Sequence, residues 1–182
     1  MRLDIALGFL FISSPLLLVA GEGACGTLKN QTALKAALSR ATEQVIVAIE
    51  HGDSVQFMAS VSPRGMGFGV DVPVVTKADL RRQMRTGTGY YCLLFSSACM
   101  AAAKSLWQSD PVLSKFQTSY HDWLTSMSYN KDFQLLTDSD LCGGLVRFIT
   151  PGARTAPGIL ELEFVLQRGR WLLVNTPFEL GE

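Results

Sequence analysis

The spacing of apolar and polar positions changes several times along the chain, and each change marks an element. Ile5 to Ala20 is an almost uninterrupted apolar run, opened by Arg2 and closed by Ala20-Gly21-Glu22-Gly23-Ala24. This is the layout of a secretory signal, and it falls short of the about 20 residues that a bilayer-spanning helix needs. Leu34, Leu38, Ala41, Val45, Ala48 and Ile49 then recur at helical spacing up to His51-Gly52, where glycine can take a left-handed cap. Asp53 or Ser54 caps a short second helix carrying Val55, Met58 and Val61, which Ser62-Pro63 ends. A helical hairpin is therefore expected. Gly65, Gly67 and Gly69 punctuate an extended stretch, and Val70 to Val75 continues it as a small β-hairpin.

Thr76 to Asp79 has the form of a capping box, which starts a helix that runs to about Arg85 and breaks at Gly87-Thr88-Gly89. Arg81, Arg82 and Arg85 cluster toward its C-terminus, where cations favour the macrodipole; an anion site is the alternative. Tyr90 to Phe95 is apolar all round and reads as a buried helical turn or two. Ser109-Asp110-Pro111 opens a further helix, with Leu113, Phe116, Tyr120, Trp123 and Met127 as one stripe facing the core. His121 and Asp122 lie beside that stripe, about 100° apart around the helix, which predicts that they do not form a catalytic dyad with each other.

From Asp132 the period becomes two. Phe133 to Thr137 and Leu145 to Thr150 read as strands joined through Asp138 to Gly144. Leu160, Leu162, Phe164 and Leu166 alternate with Glu161, Glu163 and Val165 in a third strand with one buried face. Arg168-Gly169 turns tightly into Arg170 to Thr176, with Leu172 and Val174 expected inside and Trp171 and Leu173 on the other face. Helices first and an antiparallel meander last give an α+β fold, with the helices laid on one side of a curved sheet.

The organisation that follows is a signal peptide over residues 1–24 and a single α+β domain over 25–182. An uncleaved anchor would leave the same domain outside the cytoplasm. Cleavage before Cys25 would make a lipidated N-terminus, although Glu22 stands where a lipobox wants an aliphatic residue. The remaining domain, about 160 residues, is long enough to bury one substantial core. Sixteen basic and sixteen acidic residues give a formal net charge of zero, which points away from nucleic acid as a partner. The expected location is secreted or periplasmic, and a membrane enters only through an uncleaved signal or a lipid on Cys25.

In an oxidising compartment the four cysteines, Cys25, Cys92, Cys99 and Cys142, permit three complete pairings. On one straight helix Cys92 and Cys99 would stand ~10 Å apart along the axis, beyond the ~7 Å Cα limit of a disulfide. A break at Ser96-Ser97 would let them pair; buried free thiols are the alternative. No CxxC pair exists, and His51 and His121 are far from each other and from any cysteine, so no metal site is expected. Asp138-Ser139-Asp140 looks like the start of a calcium loop, but Cys142 takes a ligand position and Ile149 stands where the closing Glu belongs. The alternating glycines lack the Lys-Ser/Thr ending of a phosphate loop. Asn30-Gln31-Thr32 fits an N-glycosylation acceptor, idle in a bacterial protein, which this chain looks to be.

The order of helical hairpin, small β-hairpin, helix and long antiparallel strands ending in Gly-Arg-Trp-Leu-Leu-Val resembles the nuclear transport factor 2-like superfamily of cone-shaped domains. The matching pieces are the first helix through His51-Gly52-Asp53, the run Phe57 to Pro63, and the strand pair that includes Trp171. They span most of the domain, with a longer helical insert from Tyr90 to Met127 than a minimal member carries. The chain looks most like the uncharacterised secreted bacterial branch. The resemblance implies a pocket between sheet and helices, in a superfamily that includes ketosteroid isomerase as well as noncatalytic binding and assembly modules. Fold alone therefore does not give reaction.

Three functions are weighed on this basis. The first is noncatalytic binding of a small apolar ligand or a partner protein, with Tyr90, Tyr91, Tyr120, Trp123, Asp122 and Glu163 as pocket candidates and no cofactor. The second is a cone-pocket isomerase or hydrolase-like enzyme, which needs a Tyr and an Asp or Glu to converge, because an enolate must be stabilised away from water. The third is an assembly module that forms a homodimer through its sheet face, with Arg147, Glu161 and Glu163 as a charged rim.

Overall fold

The computed structural model describes residue 25 and residues 28–69, 73–102, 118–137, 141–152 and 159–176. Helix α1 (Leu28–Glu50) buries Leu38, Val45, Ala48 and Ile49 of the expected stripe and half-buries Leu34 and Ala41, while Thr42 and Ile46, which the spacing did not single out, are buried as well. Its fully buried Thr42 hydroxyl is satisfied by donating to the Leu38 carbonyl at 2.9 Å. Gly52 closes the helix at φ 65°, and the Asp53 carboxylate then accepts from the Val55 and Gln56 amides to start α2 (Ser54–Ser60). The expected α2 stripe needs correction. Val55 is 81% exposed, Phe57 and Met58 face inward, and Val61 is buried in extended backbone. Two turns are too few to hold all three positions on one face, and Val61 leaves the helix to pair with Leu173.

Met66 and Val75 exchange backbone hydrogen bonds at 3.1 and 2.9 Å, as the small hairpin requires; Val70 to Val72 lies outside the described residues. Gly65 is needed here. A Cβ on it would come within 1.9 Å of the Val75 carbonyl oxygen, and its φ of 107° disfavours any side chain. Helix α3 (Lys77–Thr86) starts at Thr76, whose hydroxyl accepts from the Asp79 amide at 3.2 Å, and ends at left-handed Gly87. Helix α4 (Tyr90–Phe95) is buried along nearly its whole length, and α5 (Ser97–Ala102) follows a break at Ser96. The expected helix start at Ser109 to Pro111, with Leu113 and Phe116, lies outside the described residues. Helix α6 (Tyr120–Ser126) starts afresh at Ser119, and Tyr120 and Trp123 are buried on it as expected. Met127 is 48% exposed instead, because the helix ends at Ser126 and the chain turns extended.

Strands β1 (Asn130–Leu136), β2 (Gly143–Ile149), β3 (Ile159–Gln167) and β4 (Arg170–Asn175) form one antiparallel sheet in chain order. Arg168 and Gly169 make the β3–β4 turn with φ of 51° and 75°, the left-handed pair that a two-residue hairpin favours. That turn sets Leu166 opposite Trp171 and Phe164 opposite Leu173, and cross-strand partners share a face. The buried side of β4 is therefore Trp171 and Leu173, with Leu172 and Val174 only half-buried, the reverse of the expectation from alternation. A register shift at Glu163/Phe164 leaves Val174 as the extra residue. Beyond β4, the segment from Val61 to Gly67 runs parallel to it; Ser62 N donates to Leu173 O and Gly67 N to Val174 O.

Helix α1 crosses the inner face at Gly144, where an added Cβ would meet Leu38 at 2.7 Å and Trp171 at 3.3 Å. The Trp171 indole donates to the Leu34 carbonyl at 3.2 Å, tying β4 to α1. This is the α+β architecture expected, helices on one side of an antiparallel sheet, as the resemblance to the nuclear transport factor 2-like cone implies.

Candidate functional site

The space between helices and sheet is filled by the protein's own side chains. Phe57, Phe68, Phe148, Leu93, Leu94 and Leu173 each have no accessible surface, so none borders a void large enough for water. Tyr90 lies flat on Phe68 with ring centroids 3.9 Å apart, and Phe57 meets Phe95 edge-on at 5.8 Å. Trp123 stacks on Tyr129 at 5.7 Å, and Tyr129 meets Phe148 edge-on at 5.4 Å. Tyr120 is fully buried; its hydroxyl donates to Thr176 Oγ1 at 3.1 Å, and burial pushes its pKa well above the ordinary tyrosine value. Tyr91 is half-buried beside Phe95, with ring centroids 5.2 Å apart.

Of the carboxylates singled out in the sequence, Asp122 sits apart from these rings. Its Oδ2 accepts from the Ser97 amide at 3.2 Å and its Oδ1 lies 2.8 Å from His121 Nδ1. The two are in contact, although helical angles alone separate them. The 100° separation holds for the Cα–Cβ directions, but in the first turn of a helix both side chains are long enough to swing back and meet. Hydrogen bonds from Ser97 first, then from His121, hold the Asp122 carboxyl at about 2. Ser97 Oγ accepts from the Ser119 amide at 2.7 Å and lies 3.3 Å from both Thr118 Oγ1 and Ser119 Oγ. A Ser, a His and an Asp therefore occur together, yet among the described residues no serine hydroxyl bonds to the imidazole. The arrangement joins the starts of α5 and α6. Among the described residues no tyrosine hydroxyl shares a hydrogen bond with a carboxylate, the convergence that isomerase chemistry needs.

Glu163 lies on the opposite side of the sheet and accepts from Asn175 Nδ2 at 3.2 Å. It lines a shallow groove of about 340 Å³ together with Val74, Leu136, Leu141, Gly143 and Val165. Val74 and Leu141 are 58% and 54% exposed there, two large apolar side chains left facing solvent. Across the same face, Arg147 Nε donates to Glu161 Oε1 at 2.6 Å, and the two are direct partners across β2 and β3. Leu145, Ile149, Ile159 and Leu172 surround them, all half-buried. Alternation along β2 and β3 made the charged members of this face legible; Val74 and Leu141, which lie in loops, carried no such signal.

Two disulfides are formed, Cys92–Cys99 across the α4–α5 break and Cys25–Cys142 between the N-terminal segment and the residue before β2. The break at Ser96 is what brings the first pair to a Cα–Cα distance of 5.1 Å. The second bridge engages the Cys25 sulfur, so a lipid thioether there would require that bridge to be absent. Two disulfides fit an oxidising extracellular environment. Among the described residues no helix is long and apolar enough to cross a membrane, and no three His, Cys, Asp or Glu side chains gather to hold a metal ion. The signal segment, residues 1–24, and the calcium-like Asp138 to Asp140 lie outside the described residues.

No family model and no curated protein matches the chain. Among solved structures it is similar to a function-unknown protein from Mycobacterium tuberculosis, at 14% identity and a TM-score of 0.44 over 85% of this chain and 76% of that one. It is also similar to a protein of unknown function with a cystatin-like fold from Nostoc punctiforme, at 10% identity and a TM-score of 0.42, covering 83% and 90%. A third likeness, to a designed protein of the nuclear transport factor 2 type, has 17% identity and a TM-score of 0.33, covering 82% and 97%. At such values none of the three carries information about chemistry.

Proposed function

We propose that this chain is an exported, noncatalytic assembly domain that pairs with a second copy of itself through the outer face of its sheet. The observation that carries the reading is the filled interior. Among the described residues Phe57, Phe68 and Phe148 have no accessible surface, so the interior they line has no room for a ligand or substrate, which favours binding at the surface. The outer face supplies what a two-fold contact needs. Arg147 and Glu161 sit side by side in one cross-strand row, bonded to each other, with Glu161 only 8% exposed. A two-fold axis near them brings the more exposed arginine of each copy toward the other copy's ion pair. Half-buried Leu145, Ile149, Ile159 and Leu172 provide apolar area around that row.

Size and charge permit this pairing. Four strands at ~4.8 Å spacing and about seven residues at ~3.3 Å each give roughly 450 Å² of projected face. That is about half of the ~800 Å² per partner of a standard interface, so the expected dimer is a weak one. A formal net charge of zero leaves no overall repulsion between copies.

Sedimentation equilibrium of the oxidised protein across two decades of concentration tests the reading. A monomer–dimer equilibrium that Leu145→Asp shifts to monomer is expected. A wild type that stays monomeric throughout, or a dimer indifferent to Leu145→Asp, rejects it.

A further inference from the structure

A second cleft, of about 620 Å³, runs between α2 and α3, sharing no lining residue with the outer-face groove. One wall and the floor are apolar: Val55, Met58 and Met84. Val55 is 81% exposed at the rim of this cleft. The other wall is cationic, because Lys77, Arg81 and Arg85 stand at four-residue steps along α3 and so share one face.

The macrodipole accounts for only part of this charge. It favours cations in the last turn, which suits Arg85. Lys77, the first residue of the helix, is held instead by donating from its ammonium to the Val61 carbonyl at 2.5 Å. This leaves Arg81, which stands a full turn before the helix end. Burial and then the neighbouring charges of Arg81 and Arg170 lower the Lys77 pKa. The nearby carboxylates are engaged elsewhere. Asp79 pairs with Arg82 at 2.8 Å and accepts from the Thr76 hydroxyl, and Asp53 caps α2. Like charges gathered beside an apolar wall, without an acid among the cleft's lining residues, complement an anion that carries an apolar tail.

We propose that the α2–α3 cleft binds a free single-chain anionic amphiphile, its carboxylate or phosphate head against Arg81 and Arg85 and its alkyl tail along Val55, Met58 and Met84. The cleft volume falls within the about 300–1,000 Å³ of small-molecule sites. Helix α2 has seven residues, under two full turns, too short a wall to seat a partner helix by its successive turns. The cleft is separate from the outer sheet face, so this proposal stands or falls independently of the dimer.

Isothermal titration calorimetry of the oxidised protein with dodecyl phosphate, kept below its micelle concentration, tests it, with inorganic phosphate and mixed phosphatidylcholine–phosphatidylglycerol vesicles as the other two arms. One site for dodecyl phosphate is expected. Arg81→Ala with Arg85→Ala should weaken it at least tenfold, about 1.4 kcal/mol, and Val55→Asn should weaken it by a similar factor. All these positions except Met58 and Met84 lie on exposed or half-buried surface, so the variants should melt as the wild type does. No binding, binding unchanged in both variants, or inorganic phosphate binding as tightly as dodecyl phosphate overturns the proposal. Association with vesicles without binding of the soluble amphiphile also overturns it, and assigns the cleft to a membrane surface.

Discussion

Replacing Cys25 and Cys142 together by alanine should destabilise the domain far more than replacing Cys92 and Cys99. The first bridge spans a sequence separation of 117 residues and the second only 7. In the chain-entropy account, closing the long loop in the unfolded chain is worth about 5 kcal/mol and closing the short one about 2 kcal/mol. The short loop is nested in the long one, but the shorter path changes the larger figure by under about 0.1 kcal/mol. Packing does not reverse the order, since Cys25, Cys142 and Cys92 are all buried and alanine removes the same atom from each. Urea unfolding of the two double variants measures the gap, expected at roughly 2–3 kcal/mol, and melting should fall by about 2–4 °C for each kcal/mol lost. Equal losses, or a larger loss at Cys92 and Cys99, would refute the idea that the long-range bridge restrains the unfolded chain.

Two further perturbations probe the core and the Asp122 network. Phe148→Ala should cost about 3–5 kcal/mol in urea unfolding and open a void that takes up xenon, whereas the wild-type interior takes up none. Asp122 has a folded pKa below its ordinary 3.8, at about 2, so its contribution is fully present above the ordinary value and is lost as pH falls through about 2. The wild type should lose stability faster than Asp122→Asn over that window, by less than about 1 kcal/mol because the carboxylate is partly exposed. Parallel stability curves for the two proteins between about pH 5 and pH 2 would contradict this assignment.

Local chemistry made much of the fold legible. Gly52, Asp53, Thr76 and Gly87 end or start helices through groups within four residues of themselves, so their roles could be read without knowing the tertiary structure. The face of β4 could not be read in that way. It depends on the register set by Arg168-Gly169 and on the shift at Glu163/Phe164, and a one-residue offset moves every side chain to the other face. The parallel docking of Val61 to Gly67 beside β4 was equally invisible, since it joins segments more than a hundred residues apart.

The site was less legible than the fold. Tyr90, Tyr120 and Trp123 have the composition of a pocket lining, and only packing shows that they fill the interior together with Phe68 and Phe148. Helical angles separated His121 from Asp122 because they describe where side chains leave the backbone, not where they end. The four-residue spacing of Lys77, Arg81 and Arg85 was present in the sequence, but its meaning depended on α2 lying opposite.

The most direct test of surface pairing is a charge-exchange experiment at the Arg147–Glu161 row, read by sedimentation equilibrium. Arg147→Glu and Glu161→Arg should each be monomeric alone, because each sets like charges against the other copy. Mixed in equal amounts they should form a heterodimer, since both cross-copy pairs are then opposite in sign. Two variants that dimerise alone as the wild type does, or a mixture that stays monomeric beside a dimeric wild type, would contradict pairing through this face.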